Sequence, residues 1–223
     1  MAAHGIERQS KGTKRKVNQR RTEMKISICI EGITPLLCNR FTDEAAEAAT
    51  SGTRSSMATT DRGTPIEIAA SKLYHGLDGE LAIPQPNLLR CLIEGGRFHK
   101  VGKSQVTTQK ASMLFSCVDI EGATIPIIHE QPWKVDTRPV RIPSTGGRIL
   151  SHRPMFDDWR LEFLLDLDIS IMSAKLMRQI IDDAGKRIGL GDFRPATKGP
   201  FGRFVVTRWE EEKEVLTRLP QAA

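Results

Sequence analysis

The sequence predicts an α+β fold of the ferredoxin-like type: a βαββαβ chain forming one antiparallel sheet, with both helices on one face and large insertions. Three observations predict it. Ile26, Ile28 and Ile30 alternate with polar neighbours, the period of a half-buried strand. Trp159–Ile169 alternates in the same way and leaves Glu162, Asp166 and Asp168 on the opposite side. Two segments of helical period, Leu88/Leu89/Leu92/Ile93 and Leu176/Ile180/Ala184/Ile188, each follow a strand.

In chain order, residues 1–24 are polar and basic with almost no apolar anchor, so they are expected to form a disordered arm. Met24–Leu37 is the first strand, broken at Gly32, and it leads into Cys38-Asn39-Arg40-Phe41. Thr42–Gly79 is poor in apolar residues and rich in Ala, Ser, Thr and Gly, which reads as an insertion with a short helix near Asp43–Ala49. Within Leu81–Phe98, Pro84 and Pro86 stop a short strand, Asn87 caps the first helix, and Gly95-Gly96 ends it. A second strand is expected at about Met113–Val118, followed by a turn at Glu121-Gly122 and an apolar stretch at Thr124–Ile128.

Trp133–Met155 holds two extended arms around Gly146-Gly147, a projecting hairpin. After the strand at Trp159–Ile169, Ser170 and Ser173 are both available to cap the second helix. A glycine-rich loop and a strand reaching Trp209 complete the βαββαβ order of a ferredoxin-like or RNA-recognition-motif (RRM-type) domain. The expected organisation is a basic arm at 1–24, a single domain at 25–210 with insertions at about 42–80 and 99–155, and a solvated tail at 211–223.

The 223 residues suffice for one sizeable domain, and 39% apolar with 27% charged residues suits a soluble globular protein. No apolar run approaches the roughly 18 residues a membrane-spanning helix needs, and no secretory apolar core stands at the N-terminus. Cys29, Cys38, Cys91 and Cys117 show no paired spacing, which argues against a zinc site or a disulfide framework and fits a reducing cytoplasm.

Charge is segregated. Residues 1–25 carry eight Lys or Arg against Glu7 and Glu23, a surplus equal to the +6 of the whole chain, so the body is neutral. Within that neutral body lie three windows depleted of acid. Gly95–Val118 has no acid but contains Arg97, Lys100, Lys103 and Lys110. Residues 138–153 contain Arg138, Arg141, Arg148 and Arg153 and no acid. Gly185–Arg203 interleaves glycines with Lys186, Arg187, Arg194, Lys198 and Arg203, and Asp192 is its single acid. Glycines permit close backbone approach and cations without acidic partners invite an anion, so these windows point to a polyanion rather than a small phosphate compound.

Three features together resemble the RAMP superfamily of CRISPR systems, and in particular its guide-RNA backbone subunits. Ile83–Arg97, IPQPNLLRCLIEGGR, is similar to the family's Ile-Pro-x-x-x-Leu-Arg-Gly helix opening, with Gln85, Pro86 and Cys91 as departures. Gly189-Leu-Gly191 through Gly199-Pro-Phe-Gly202-Arg-Phe resembles the family's glycine-rich loop, and Arg138–Arg153 its "thumb" hairpin. The resemblance implies a non-catalytic subunit in an antiviral ribonucleoprotein effector, polymerising along a guide (CRISPR) RNA and presenting it to a target nucleic acid. Its partners would be that RNA, further copies of itself and other effector subunits, with no membrane, metal or cofactor.

The residues expected to contact RNA are Asn39, Arg40, Asn87, Arg90, Arg97, Lys100 and Lys103. To these the hairpin adds Arg138, Arg141, Arg148, Arg153 and Met155. The loop adds Lys186, Arg187, Gly189, Gly191, Arg194, Lys198, Gly202 and Arg203.

Catalysis finds less support. The five histidines form no HExxH-type spacing, and the glycine loop lacks the lysine–hydroxyl ending of a Walker loop. Two alternatives stay open, a RAMP-type endoribonuclease using His99, His152 or Asp43, and a single-stranded DNA-binding or annealing protein. A structural protein whose basic loops meet acidic partners is a third.

Overall fold

The computed structural model describes residues 23–42, 46–47, 50, 63–141 and 146–212. In chain order the strands are β1 (Glu23–Gly32), β2 (Leu36–Leu37), β3 (Ala82–Pro84), β4 (Lys100–Val101), β5 (Ser104–Gln105) and β6 (Val118–Ile120). They continue as β7 (Thr124–Ile128), β8 (Lys134–Arg141), β9 (Arg148–Phe156), β10 (Arg160–Asp168) and β11 (Phe204–Glu211). The helices are α1 (Pro65–Ser71), α2 (Gln85–Gly95), the single turn α3 (Leu114–Cys117) and α4 (Ala174–Asp183).

The main sheet runs β11-β1-β10-β7-β3, with β6 also paired to β10, and every pairing is antiparallel. Taking β1, then β6 with β7, then β10 and β11 as the four strands of the repeat, the order is fourth, first, third, second, and β3 adds to the edge. That is the ferredoxin-like arrangement the sequence predicts. Register follows from alternation. Ile28 lies opposite Phe163 on one side and Trp209 on the other, and Ile26, Ile28, Ile30, Leu161, Leu165 and Leu167 are fully buried.

Helices α2 and α4 cover the apolar face through Leu88, Leu92, Met177, Ile180 and Ile181. They meet through small residues, since a Cβ at Gly95 would stand 2.8 Å from the Cβ of Ala184. Ser173 caps α4 by accepting the Leu176 N–H at 3.3 Å, an interaction worth about 1 kcal/mol. Past Asp183 the helix widens into a π turn, Ala184–Ile188, closed by the Gly189 N–H donating to the Ala184 carbonyl at 2.9 Å. The opposite, open face of the sheet is polar. It carries Lys25 beside Asp166 at 3.7 Å and Arg208 beside Glu162 at 3.1 Å.

Several local expectations are corrected. Asn87 is the third residue of α2 rather than its cap; Pro84 occupies the cap position, because Ile83-Pro84 is still paired as strand and the helix starts at once. Ser170 does not cap α4, for its N–H donates to Asp168 at 3.0 Å and its hydroxyl is taken by the same carboxylate. Leu176 is only half-buried, and Met177 and Ile181 take the core-facing positions beside Ile180.

The second strand begins at Val118, not Met113, because residues 114–117 form one helical turn that buries Leu114 and Cys117. In the insertion Ala46, Glu47 and Thr50 are helical, the rest of the expected Asp43–Ala49 helix lying outside the described residues. A further helix there is α1, whose Thr64/Glu67 capping box and N-terminal Pro65 are the local signal for it. The basic arm at 1–22, Asp43 and residues 213–223 lie outside the described residues.

Candidate nucleic-acid interface

The glycine-rich loop is pinned to the connection between β1 and β2. The Asp192 N–H donates to the Leu37 carbonyl at 2.8 Å, the Gly202 N–H to the Pro35 carbonyl at 2.8 Å, and the Ile33 N–H to the Arg203 carbonyl at 2.8 Å. Inside the loop the Leu190 N–H reaches the Gly202 carbonyl at 2.8 Å and the Gly199 N–H the Arg194 carbonyl at 2.9 Å. Gly191 and Gly202 have φ of +72° and +68°, and a Cβ at Gly202 would stand 1.8 Å from the Leu190 carbonyl oxygen. Both the dihedral and the space require glycine there. Phe193 and Lys198 are also left-handed, at φ 46° and 64°, and each costs on the order of 1–3 kcal/mol that the surrounding hydrogen bonds must hold.

This clamp shapes a cleft of about 240 Å³ between three elements. Cys38 and Asn39 enter from the exit of β2, Asn87, Arg90 and Cys91 from the first turns of α2, and Gly189, Gly191, Asp192 and Arg194 from the loop. Tyr74 lines it too, and was missed at the sequence level. It is the chain's only tyrosine, standing in a polar insertion without a periodic pattern to flag it. Burial pushes its hydroxyl above the ordinary tyrosine range, while its hydrogen bond to Asn87 acts the other way. Arg194 is held by a 3.0 Å bond to the Gly191 carbonyl, and Arg90 pairs with Glu94 at 3.0 Å one helical turn on. The Arg40 N–H donates to the Lys72 carbonyl at 3.0 Å, which fixes the chain as it leaves the cleft.

Beside the cleft stands the β8–β9 hairpin, continuous with β2 through the pairs Leu36↔Phe156 and Leu37↔Met155. Its base holds a chain of charge buried at its centre, Asp136 and Arg153, and partly exposed at its ends. Arg138 Nε donates to Asp136 at 2.7 Å and Arg153 Nη2 donates to the other Asp136 oxygen at 3.2 Å. Arg153 Nη1 donates to Asp192 of the glycine loop at 2.7 Å, and Asn39 Nδ2 joins the same Asp192 oxygen at 3.2 Å. Arg138 also stacks over the Phe201 ring at 4.6 Å.

Arg153, expected to contact RNA, is turned inward. It is 4% exposed and its guanidinium bridges two carboxylates. Arg141 and Arg148 differ. They are exposed and directly opposite each other across the strands, a like-charge pair that a bound anion would relieve. Met155 lies half-buried at the hairpin base.

The remaining expected residues fall elsewhere. Arg97, Lys100 and Lys103 are exposed beyond the C-terminal end of α2, which lies about 12 Å of helix rise from Asn87. Arg187 joins them by stacking over Phe98 at 4.7 Å while pairing with Asp183 at 2.8 Å, and Lys186 is exposed next to it. Lys198 is exposed on the loop, and Arg203 is half-buried where the loop enters β11.

His99 Nε2 lies 2.9 Å from Asp183 Oδ2 without the geometry of a hydrogen bond, and His152 Nδ1 lies 2.8 Å from Thr137 Oγ1 within one. Among the described residues no group of three or more His, Cys, Asp or Glu could hold a metal ion, and no helix is long and apolar enough to cross a membrane.

Fold and site together define a ferredoxin-like α+β protein with a clamped glycine loop, an adjoining cleft and a projecting basic hairpin. No family model and no curated protein matches the sequence. Among solved structures, 64 chains match in fold. One is a chain of the "Cryo-EM structure of the Type III-B Cmr-beta bound to cognate target RNA". It matches with a TM-score of 0.50 and 10% sequence identity, over 85% of this chain and 61% of that one. The chain thus spans less than two thirds of the neighbour's length, and the likeness is one of fold.

Proposed function

We propose that the chain is a guide-RNA-binding backbone subunit of a CRISPR-type ribonucleoprotein effector, working in several copies along the RNA. The observation that carries this reading is the clamped glycine loop, which holds Arg194 against Asn39, Asn87 and Arg90 in one cleft, with Arg141 and Arg148 farther out on the adjoining hairpin. Such a surface suits a single-stranded backbone, with cations for phosphates, bare backbone for close approach and polar side chains for the sugar.

The open sheet face is a poor competitor for RNA, because Glu162 and Asp166 offset its cations. The shared fold with a chain of an RNA-bound Cmr complex supports the same class of ligand. Sequence would be read by base pairing through the guide, so the protein should grip RNA without base preference.

The test is expression with a CRISPR array and extraction of the co-purifying nucleic acid. RNA of defined length carrying repeat and spacer sequence is the expected result. Equal capture of DNA and RNA of one sequence would transfer the assignment to a single-stranded DNA-binding protein. Defined cleavage of added RNA would transfer it to an endoribonuclease.

A further inference from the structure

The geometry points to Arg153 as a positioning residue that sets the angle of the hairpin against the glycine loop, without itself touching nucleic acid. The inference deepens the RNA-binding reading above and rests on it for its functional consequence. Arg153 stands where β9 parts from β2; beyond it α1 packs on the hairpin and Lys72 Nζ donates to the His152 carbonyl at 3.1 Å. Pro154 still receives the Cys38 N–H at 3.0 Å and Met155 still pairs with Leu37, whereas beyond Arg153 the two strands have only each other as sheet partners. At this boundary one guanidinium spans both parts, Nη2 to Asp136 within the hairpin and Nη1 to Asp192 in the loop. Asp192 is fixed in turn. It accepts from Asn39, its Oδ1 accepts the Phe193 N–H at 2.8 Å, and its own N–H is bound to Leu37.

The lever is long. From Arg153 to Arg148 the strand extends five residues, about 17 Å at the usual rise. A 20° change at the base would then displace the tip by about 6 Å, more than an ion contact tolerates. A guanidinium suits this role where an ammonium does not, because its planar fork presents separate donors to two carboxylates. The chain Arg138–Asp136–Arg153–Asp192 is also neutral overall, so the latch adds no attraction for phosphate.

Three variants, Arg153→Lys, Asp192→Asn and the double, test the assignment against Arg141→Ala/Arg148→Ala, with a 30-nucleotide unstructured RNA as probe. Hydrogen exchange without RNA comes first. Amides of β8 and β9 beyond Arg153 should exchange faster in all three latch variants, while those of β1 and β10 stay protected. Affinity measured across salt concentrations comes second. Arg153→Lys, which keeps the charge, should bind roughly two- to thirty-fold more weakly at every salt concentration, with the salt slope unchanged. Asp192→Asn and the double leave one cation in surplus and should show that loss at high salt, where the added charge is screened. The tip variant should instead lower the slope by about 0.7 for each phosphate it no longer neutralises. The double should lose no more than either single variant.

Unchanged exchange at the hairpin overturns the latch, and so does an RNA affinity that Arg153→Lys leaves unaltered, since a plain phosphate ligand tolerates either cation. If the lysine variant does not fold, Asp192→Asn carries the same expectation in hydrogen exchange and in affinity at high salt. Faster exchange at the hairpin in a protein that binds no RNA keeps the latch and removes the RNA reading.

Discussion

The backbone of Gly191 lies directly on that of Leu37: a Cβ at Gly191 would stand 2.3 Å from the Leu37 carbonyl oxygen, the atom that accepts the Asp192 N–H at 2.8 Å. This close approach turns a glycine-rich stretch into one wall of a cleft, because it fixes the loop to the strand exit that supplies Asn39.

Alanine at Gly191 or Gly202 should therefore cost stability on two grounds, the left-handed backbone and the absence of space. Gly102 isolates the first, since its φ is +58° and nothing lies within 4 Å of its Cβ position. Gly102→Ala should lose about 1–2 kcal/mol in urea unfolding, and Gly191→Ala and Gly202→Ala clearly more. Equal losses at all three would mean that the loop is not seated on β2.

The hairpin tip gives a second expectation. Arg141 and Arg148 face each other without an acid between them, so replacing either relieves repulsion in the free protein and removes a phosphate ligand in the bound one. Arg148→Ala should leave the unfolding midpoint unchanged or slightly raised, and weaken RNA binding more at 50 mM than at 200 mM salt. A uniform weakening at both salt concentrations would point to altered hairpin shape instead of a missing cation.

The architecture was largely legible in the chain because period-2 and period-3.6 patterns survive in a single sequence: Ile26/Ile28/Ile30 and the Trp159–Ile169 run occupy the central strands they predict. Element edges were less legible. Asn87 has the chemistry of a cap, but strand pairing of Ile83-Pro84 moved the helix start upstream. Leu114 and Cys117 bury equally well from a helical turn or a strand, and short apolar segments do not distinguish the two.

The basic windows were visible as charge, yet sequence does not show which cations are already neutralised. Arg153 and Arg138 share an acid with each other that lies within the hairpin two residues from Arg138, just outside the 138–153 window. Asp192, the loop's single acid, turned out to be the residue that joins hairpin to loop.

His99 gives a third expectation. Its ring lies 2.9 Å from Asp183 and is mostly covered, where α2 passes the end of α4. A histidine so placed packs against the end of α4 with its side chain 14% exposed. His99→Ala should lower the unfolding free energy by about 1–3 kcal/mol and leave labelled RNA as intact as the unaltered protein does, with or without magnesium. Cleavage by the unaltered protein that disappears in His99→Ala would restore the histidine as a general base.

The cysteines give the last expectation, and it depends on pH. Burial pushes the thiols of Cys38 and Cys91 up to about 12, and burial likewise pushes that of Cys117 up to about 11. All three are therefore uncharged thiols in the folded protein at neutral pH, and thiolate is the form that reacts with disulfides and alkylating agents. Native protein at pH 7.5 should react with a thiol reagent far more slowly than protein in denaturant, where all four cysteines become available. The same shifts set the direction of stability. An unfolded thiol begins to ionise near its ordinary value of 9.0 while the folded one does not, so the contribution is fully present below pH 9 and is lost as pH rises toward 12. The urea midpoint should fall steadily above pH 9, and serine at Cys38 should flatten that fall. Rapid labelling of Cys38 at pH 7.5 in folded protein would show that the cleft beside it opens in solution.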